Sequence, residues 1–176
     1  MKNKTTEYTT VTFEGAESVF GTPHDDDVEI EGVVVLGYDP ELDKWLGIRW
    51  RDSGTLWLVG GGKELKETYF ESAVRELGEE AGFYTYQKAI QLGGRFQAHY
   101  YNERKDSHRR GIGYAFLFYL DPKDQKEQAL EAHENFDTVW LPFDELYAEI
   151  VKTGGGVEHW LELLRRAQTA VTSNNT

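Results

Sequence analysis

The sequence predicts an α+β fold built on a mixed β-sheet. Two observations favour this class: short β-branched apolar stretches alternate with a few amphipathic ones, and turn residues separate them. With 39% hydrophobic and 14% aromatic residues, the 176 residues suffice for one folded domain over 1–176. Within it we expect a polar, turn-rich N-terminal segment at 1–27 and a frayed tail at 171–176.

Each further element follows from its local pattern. Apolar runs bounded by turn residues predict strands at 28–37, 44–51, 56–59, 88–101, 111–120 and 136–141. A charged hairpin tip at 102–110 separates two of these strands. Amphipathic spacing predicts helices at 69–81, 142–152 and 157–170. Three consecutive glycines, Gly154 to Gly156, predict a linker between the last two helices.

The helix at 69–81 has the clearest local signals. Thr68 and Glu71 have the spacing of a capping box, and Gly82 stands where a helix C-terminal glycine belongs. Apolar residues recur at helical spacing on one face, at Phe70, Ala73, Val74, Leu77 and Ala81. This face is therefore expected to anchor the helix in the core.

Glu76, Glu79 and Glu80 share a second face of this helix. Like charges one turn apart repel each other, and a bound hard cation relieves the repulsion because Mg²⁺ prefers oxygen ligands. Arg75 lies one turn from both Glu71 and Glu79, so it can hold a carboxylate in place. The three glutamates alone leave an ordinary solvated acidic face open as the alternative.

These glutamates stand within a longer pattern. It is Gly61-x5-Glu67-x7-Arg75-Glu76-Leu77-x-Glu79-Glu80-x-Gly82-Phe83. The pattern resembles the signature of the Nudix hydrolase family, and every defined position matches. Trp57 before a glycine-rich turn is also typical of the family, whereas Val59 stands where many members have proline. The resemblance covers this box directly and residues 28–150 more loosely.

The resemblance implies a fold and a metal centre. The fold would be a Nudix-type α/β/α sandwich with a mixed sheet. Mg²⁺ or Mn²⁺ would be bound by the Gly61 carbonyl, Glu76, Glu79 and Glu80. Glu67 would orient this centre from outside, together with Arg75.

The resemblance also implies an activity. It is a metal-dependent hydrolase that cleaves a phosphoanhydride bond in a nucleoside diphosphate linked to another moiety, such as a dinucleoside polyphosphate, ADP-ribose, a nucleotide sugar or an NTP. The general base would be Glu76 or Glu79 in the box, or Glu134 in a later loop, where Glu131 competes for the role. The alternative is a non-catalytic Nudix-fold module that senses or binds a nucleotide.

Candidate substrate-binding residues lie on two strands. Arg49 and Arg51 alternate onto one face of their strand, where phosphate contact and plain solvent exposure are equally compatible with the pattern. Phe96 and Tyr100 precede the hairpin tip, and aromatic faces stack on nucleobases.

Two further charged clusters are expected to have no such role. One comprises the basic residues of the hairpin tip, for which a solvated tip is favoured over contact with a terminal phosphate or an RNA 5′ end: Arg104, Lys105, His108, Arg109 and Arg110. The other is His24 with Asp25, Asp26 and Asp27. Adjacent residues in a turn seldom converge on one metal ion, so we expect no site there.

Charge and composition narrow the partners. The net charge of −12 disfavours general nucleic-acid binding, since phosphates are repelled unless a cation screens them. Cysteine is absent, which excludes disulfides and thiolate metal sites. No apolar run is long enough for a membrane span and no signal-peptide core is visible, so a cytoplasmic protein with a small nucleotide-type substrate is expected. A homodimer is compatible with the family resemblance.

Overall fold

The computed structural model describes residues 7–174, which form ten strands, three α-helices and one 3₁₀ turn at Pro122–Asp124. The strands are β1 (Thr9–Val11), β2 (Val19–Phe20), β3 (Val28–Asp39), β4 (Lys44–Trp50), β5 (Leu56–Trp57), β6 (Val59–Gly62), β7 (Lys88–Leu92), β8 (Phe96–Asn102), β9 (Ser107–Tyr119) and β10 (Phe136–Leu141). The helices are α1 (Tyr69–Ala81), α2 (Phe143–Lys152) and α3 (Glu158–Asn174).

The strands form one mixed sheet that branches around two long central strands. β3 and β9 pair in parallel along their length, from Val28 with Arg109 to Tyr38 with Tyr119. On its other edge β3 pairs with β6 at its middle and with β4 at its end. The first half of β9 pairs with β8 and its second half pairs with β7. β1, β2, β5 and β10 extend these branches at their outer sides. The predicted mixed sheet is confirmed.

Helices cover both faces of the sheet. On one face, the apolar stripe of α1, including Phe70 and Leu77, packs against alternate residues of β3 such as Val35. On the other face, Leu146 of α2 and Leu163 of α3 pack against the intervening residues of the sheet. The expected α/β/α sandwich is therefore observed, and the site-bearing helix α1 has a rigid support.

Several element boundaries differ from the sequence prediction. The strand expected at 88–101 is divided in two, because Gly93 adopts a φ of 81° that a regular strand does not allow. β9 begins at Ser107, so only residues 103–106 form the hairpin tip. The expected frayed tail at 171–176 is wrong as far as Asn174, because α3 continues to that residue and buries Val171. Residues 175 and 176 lie outside the described residues.

The N-terminal segment is more ordered than its polarity predicts. Its described part, 7–27, adds β1 and β2, which pair in parallel with β7 and β8. Phe20 is buried in the core, whereas Val19 beside it is exposed. Residues 1–6 lie outside the described residues. None of the three helices in the described chain combines the length and apolarity needed to cross a membrane.

Candidate active site

A cleft of about 730 Å³ lies between the branch containing β4 and β5 and the branch containing β8 and β9. One end of the cleft is acidic and is lined by carboxylates from α1 and from the loop before β10. The other end is aromatic and is closed by the start of α3. Both groups of residues line one continuous cavity.

The acidic face of α1 lies where the sequence predicts it. Thr68 and Glu71 form both hydrogen bonds of the capping box, and Gly82 ends the helix with a φ of 76°. Glu76 and Glu80 are each only 7% exposed, whereas the Glu79 side chain is 42% exposed. The helix therefore presents two buried carboxylates and one accessible carboxylate to the cleft.

Arg75 connects the carboxylates of this site. Its guanidinium donates to Glu67 at 2.9 Å and to Glu76 and Glu79 at 3.0 Å each. It also donates to the Gly62 carbonyl at 2.9 Å. This geometry uses the fixed fork of donors that arginine provides. The loop before α1, the end of β6 and the acidic helix face are thereby held together.

The carboxylates differ in their electrostatics. Burial raises the pKa of Glu76 to about 7, although Arg75 opposes the shift. Burial also raises the pKa of Glu80 well above its ordinary value, and the Gly60 N–H that donates to its carboxylate at 3.1 Å offsets only part of this. The hydrogen bond from Arg75, by contrast, lowers the pKa of Glu67. Arg75 and the Gly60 N–H thus compensate the charges of Glu76 and Glu80 only in part, as expected at a cation site.

The surroundings of Gly61 fit a divalent cation. A Cβ atom at Gly61 would overlap the Glu76 carboxylate, so glycine lets the backbone of β6 approach the acidic face without displacing that side chain. The donor set comprises a backbone carbonyl and carboxylate oxygens, which is the chemistry that Mg²⁺ and Mn²⁺ prefer. Gly61, Glu76, Glu79 and Glu80 all line the same end of the cleft.

A second acidic group faces α1 from the loop before β10. Glu131, His133 and Glu134 line the cleft, and their ligand atoms lie within 4.8 Å of one another. The loop is attached to the end of α1, since Lys126 N–H donates to the Gly82 carbonyl at 2.7 Å and Ala129 N–H donates to the Glu79 carbonyl at 2.8 Å. Glu134 is close enough to raise the pKa of both Glu76 and Glu80.

Aromatic side chains line the opposite end. The rings of Trp57 and Trp160 lie 5.7 Å apart, and His159 stacks on Phe96 at 5.9 Å and on Tyr100 at 5.7 Å. All five side chains line the cleft. Burial lowers the pKa of His159 to about 4, so its imidazole is neutral at physiological pH.

Arg104 closes part of the cleft from the hairpin tip. Its guanidinium lies 3.4 Å from the centre of the Trp50 ring and 5.8 Å from that of Trp57, and it forms an ion pair with Asp52 at 2.7 Å. Arg104 is exposed, as expected of a solvated tip, but its guanidinium also packs on Trp50 and lines the cleft. Arg109, which lies within β9, also lines the cleft.

Arg49 and Arg51 lie outside the cleft lining. Because side chains alternate along a strand, Trp50 faces the cleft and is buried, whereas both arginines point to the opposite side. Arg49 donates to the Gly54 carbonyl at 2.9 Å, and Arg51 donates twice to Asp137, at 2.6 and 2.9 Å. Phe96 and Tyr100, in contrast, lie in the cleft as the sequence predicts.

Several cleft residues were not singled out from the sequence as site residues. They are Trp57, Arg104, His133, His159 and Trp160. The glycines before α3 offer one partial signal: at Gly156 the φ is 89° and a Cβ would lie 3.1 Å from Tyr100. Glycine there lets the start of α3 approach β8, which brings His159 and Trp160 to the cleft.

Comparisons with known proteins agree with this architecture. A family model described as the NUDIX domain matches residues 29–161. The solved structure of the E. coli dihydroneopterin triphosphate pyrophosphohydrolase is 18% identical with a TM-score of 0.58, over 81% of this chain and 95% of that chain. The MutT protein from Methanosarcina mazei Go1 is 17% identical with a TM-score of 0.57, over 84% and 98% respectively.

A third similar structure is the C. elegans Ap4A hydrolase, which is 15% identical with a TM-score of 0.51, over 82% of this chain and 98% of that chain. A search among curated proteins gave no match. The structural likenesses concern the fold, whereas the family match spans most of the chain and includes the complete acidic box on α1. The chain therefore belongs to the Nudix hydrolase family.

Proposed function

We propose that this protein hydrolyses a phosphoanhydride bond in a nucleotide-type small molecule, with Mg²⁺ or Mn²⁺ as cofactor. The observation that carries the proposal is the convergence of the buried Glu76 and Glu80 with the accessible Glu79 and the facing Glu134 at one end of the cleft. Such a concentration of negative charge favours binding a diphosphate only through cations. The substrate is a nucleoside diphosphate linked to another moiety.

The Gly61 carbonyl, Glu76, Glu79 and Glu80 would hold the metal ion. When bound, Mg²⁺ or Mn²⁺ neutralises phosphate oxygens and lowers the pKa of water. Arg75 fixes the orientation of Glu76 and Glu79 through the hydrogen bonds described above. Glu67 receives the remaining donors of Arg75 and thus acts as a positioning residue.

Glu134 is our candidate for the general base. Its backbone N–H donates to the Glu131 carbonyl at 3.0 Å, and its carboxylate accepts from the Glu131 N–H at 2.8 Å, which fixes the residue in a tight turn beside α1. In the proposed reaction the carboxylate takes a proton from water, the water oxygen bonds to phosphorus, and the bond to the bridging oxygen breaks. Glu131, His133 and the box residues Glu76 and Glu79 are the competing bases.

The aromatic end of the cleft suits a planar heterocycle. Trp57, Trp160 and Tyr100 present ring faces and edges on which a nucleobase can stack. The neutral imidazole of His159 offers hydrogen bonding without charge. Arg104 and Arg109 supply positive charge to the cleft, where they would contact the phosphate or sugar part.

A hydrolysis screen tests the proposal. The purified protein is incubated with Mg²⁺ or Mn²⁺ and with ADP-ribose, nucleotide sugars, dNTPs, capped RNA, and the substrates named for the similar structures, dihydroneopterin triphosphate and Ap4A. We expect metal-dependent release of a phosphate-containing product from at least one class. Tight nucleotide binding without turnover would instead support the alternative of a sensing module. Retention of activity in metal-free buffer would contradict the proposed chemistry.

Single-carboxylate variants test the assigned roles. Glu79→Gln removes an accessible charge without changing shape, so kcat should fall by at least about 100-fold. Glu134→Gln should lower kcat by a similar factor, whereas Glu131→Gln, three residues earlier in the same turn, should not. Equal effects of the two loop variants would refute the assignment of Glu134 as base.

A further inference from the structure

A tight turn precedes β3 and brings His24 and Asp27 together. The Asp27 N–H donates to the His24 carbonyl at 3.1 Å, and the His24 N–H donates to Asp27 Oδ2 at 3.2 Å. The next residue, Val28, pairs with Arg109 of β9, so His108 lies directly beside the turn. The His24 and His108 rings stack with their centres 3.9 Å apart.

His24, Asp27 and His108 together have the composition of a metal site. One possible ligand atom from each residue lies within 4.8 Å of the other two. Ligands at about 2.05 Å from a tetrahedral ion lie about 3.3 Å from one another. The three side chains therefore need only small rotations to reach a common ion.

Two atoms of this group lack the hydrogen bonds that buried polar atoms normally form. Asp27 Oδ1 and His108 Nδ1 are both buried, and neither has a hydrogen-bond partner among residues 7–174. The Asp27 side chain is only 9% exposed. A buried carboxylate oxygen without a donor costs free energy unless something else binds it. A cation between the two atoms would satisfy both.

His99 fixes the orientation of this carboxylate. Its Nδ1 lies 2.6 Å from Asp27 Oδ2, and its Nε2 lies 2.8 Å from Gln97 Nε2. Since the Gln97 amide can only donate through that nitrogen, Nε2 of His99 accepts and Nδ1 carries the proton to Asp27. Oδ2 is thereby occupied, and Oδ1 is left for another ligand. Residues that orient a metal ligand in this way are a regular part of metal sites.

We propose that His24, Asp27 and His108 bind one divalent transition-metal ion of the Zn²⁺ type. Two imidazole nitrogens and one carboxylate oxygen favour such an ion over Mg²⁺, which prefers oxygen ligands alone. Asp25 and Asp26 take no part. From the sequence we expected no site at His24 and its neighbouring aspartates, because the third ligand, His108, comes from a distant strand.

The site would stabilise one wall of the cleft. Tyr100 pairs with Arg109 across the β8–β9 hairpin, and both line the cleft. By alternation, His108 points to the opposite face of the hairpin. A metal ion there would tie the hairpin to the N-terminal segment without contacting the substrate. The site is thus structural and separate from the oxygen-rich centre on α1.

Calorimetric titration with Zn²⁺ in millimolar Mg²⁺ tests the proposal, since Mg²⁺ occupies the oxygen-rich centre. We expect one Zn²⁺ per chain. His24→Ala should weaken the Zn²⁺ affinity by at least about tenfold, and Asp27→Asn should do the same. His24 is exposed, so its substitution leaves the core intact. His133→Ala is the matched control, because this histidine belongs to the other cluster, and it should leave the affinity unchanged.

Histidine ring NMR identifies the ligands directly, because the chain contains only five histidines. Zn²⁺ should shift the ring nitrogens of His24 and His108, slow hydrogen exchange in 101–108, and leave the His133 signals in place. Absence of Zn²⁺ binding, an affinity unaffected by His24→Ala, or shifts at His133 instead would each overturn the proposal.

Discussion

Glutamates that belong to one short segment experience opposite electrostatic environments. Glu67 has a low pKa because Arg75 donates to it twice, whereas Glu76 and Glu80 have raised pKa values because they are buried. The difference agrees with the proposed roles, in which Glu67 positions Arg75 and the buried pair binds a cation. Environment rather than residue type therefore decides what each carboxylate does.

His159 gives a prediction at the same scale. It is 6% exposed and surrounded by Phe20, Phe96, Tyr100 and Trp160, with a pKa lowered to about 4 by burial. As pH falls below about 6.5, the unfolded chain binds a proton at this residue and the folded chain does not. The free energy of unfolding should therefore decrease between pH 6.5 and pH 4, by about 3 kcal/mol from this residue.

Urea unfolding of His159→Gln and wild type at pH 7 and pH 4.5 measures this contribution. The wild type should lose more free energy of unfolding than the variant over that interval. His133→Gln, at an exposed loop position, is the control and should behave as the wild type does. Equal losses in wild type and His159→Gln would refute the assignment.

The carboxylates that the sequence placed on one face of α1 depend for their relative positions on a single helix, whereas Phe96 and Tyr100 line the cleft from a strand. Glu76, Glu79 and Glu80 lie on one face because α1 is regular. Trp160 and Arg104 reach the cleft through a helix start and a hairpin tip that are remote in sequence, and nothing local reveals this. Local patterns therefore predicted the carboxylate-lined part of the cleft, and its aromatic part only at Phe96 and Tyr100.

At the scale of elements, boundaries set by hydrogen-bonded caps were predicted to the residue. α1 begins after Thr68 and ends before Gly82, as the sequence indicates. Strand boundaries were less accurate, because β7, β8 and β9 depend on which neighbour each strand finds in the sheet. β9 begins as early as Ser107 because β8 continues to Asn102, which pairs with Ser107. Caps are local interactions, whereas strand pairing is not.

Thr68→Ala tests the contribution of the cap. The threonine hydroxyl accepts from the Glu71 N–H at 3.1 Å, and the Glu71 carboxylate accepts from the Thr68 N–H at 2.7 Å. Loss of the hydroxyl should lower the free energy of unfolding by about 1 kcal/mol. Thr68→Ser retains the hydroxyl and is the control. Coincident denaturant midpoints for the two variants, with unchanged slopes, would contradict the assigned cap.

For the whole molecule, the net charge of −12 predicts that bound cations stabilise the fold, because they reduce its self-repulsion. Mg²⁺ should raise the melting temperature, because it binds the folded site and not the unfolded chain; at 100 times Kd the gain is about 2.7 kcal/mol. Glu80→Gln should melt at an equal or higher temperature than wild type in metal-free buffer and respond less to Mg²⁺. Glu145→Gln, on the exposed side of α2, is the control. A wild-type Mg²⁺ response in Glu80→Gln would argue against its place in the metal centre.

The parallel pairing of β3 with β9 determines when the centre of the sheet can form. Five strands and α1 separate the two partners along the chain. At roughly 5–20 residues per second, a ribosome needs several seconds to deliver β9 after β3 has emerged. During that time the apolar residues Val33 to Leu36 have an unpaired edge, which is an aggregation hazard. Refolding should accordingly be slow for a domain of this size, and chains truncated before β9 should depend on chaperones to remain in solution.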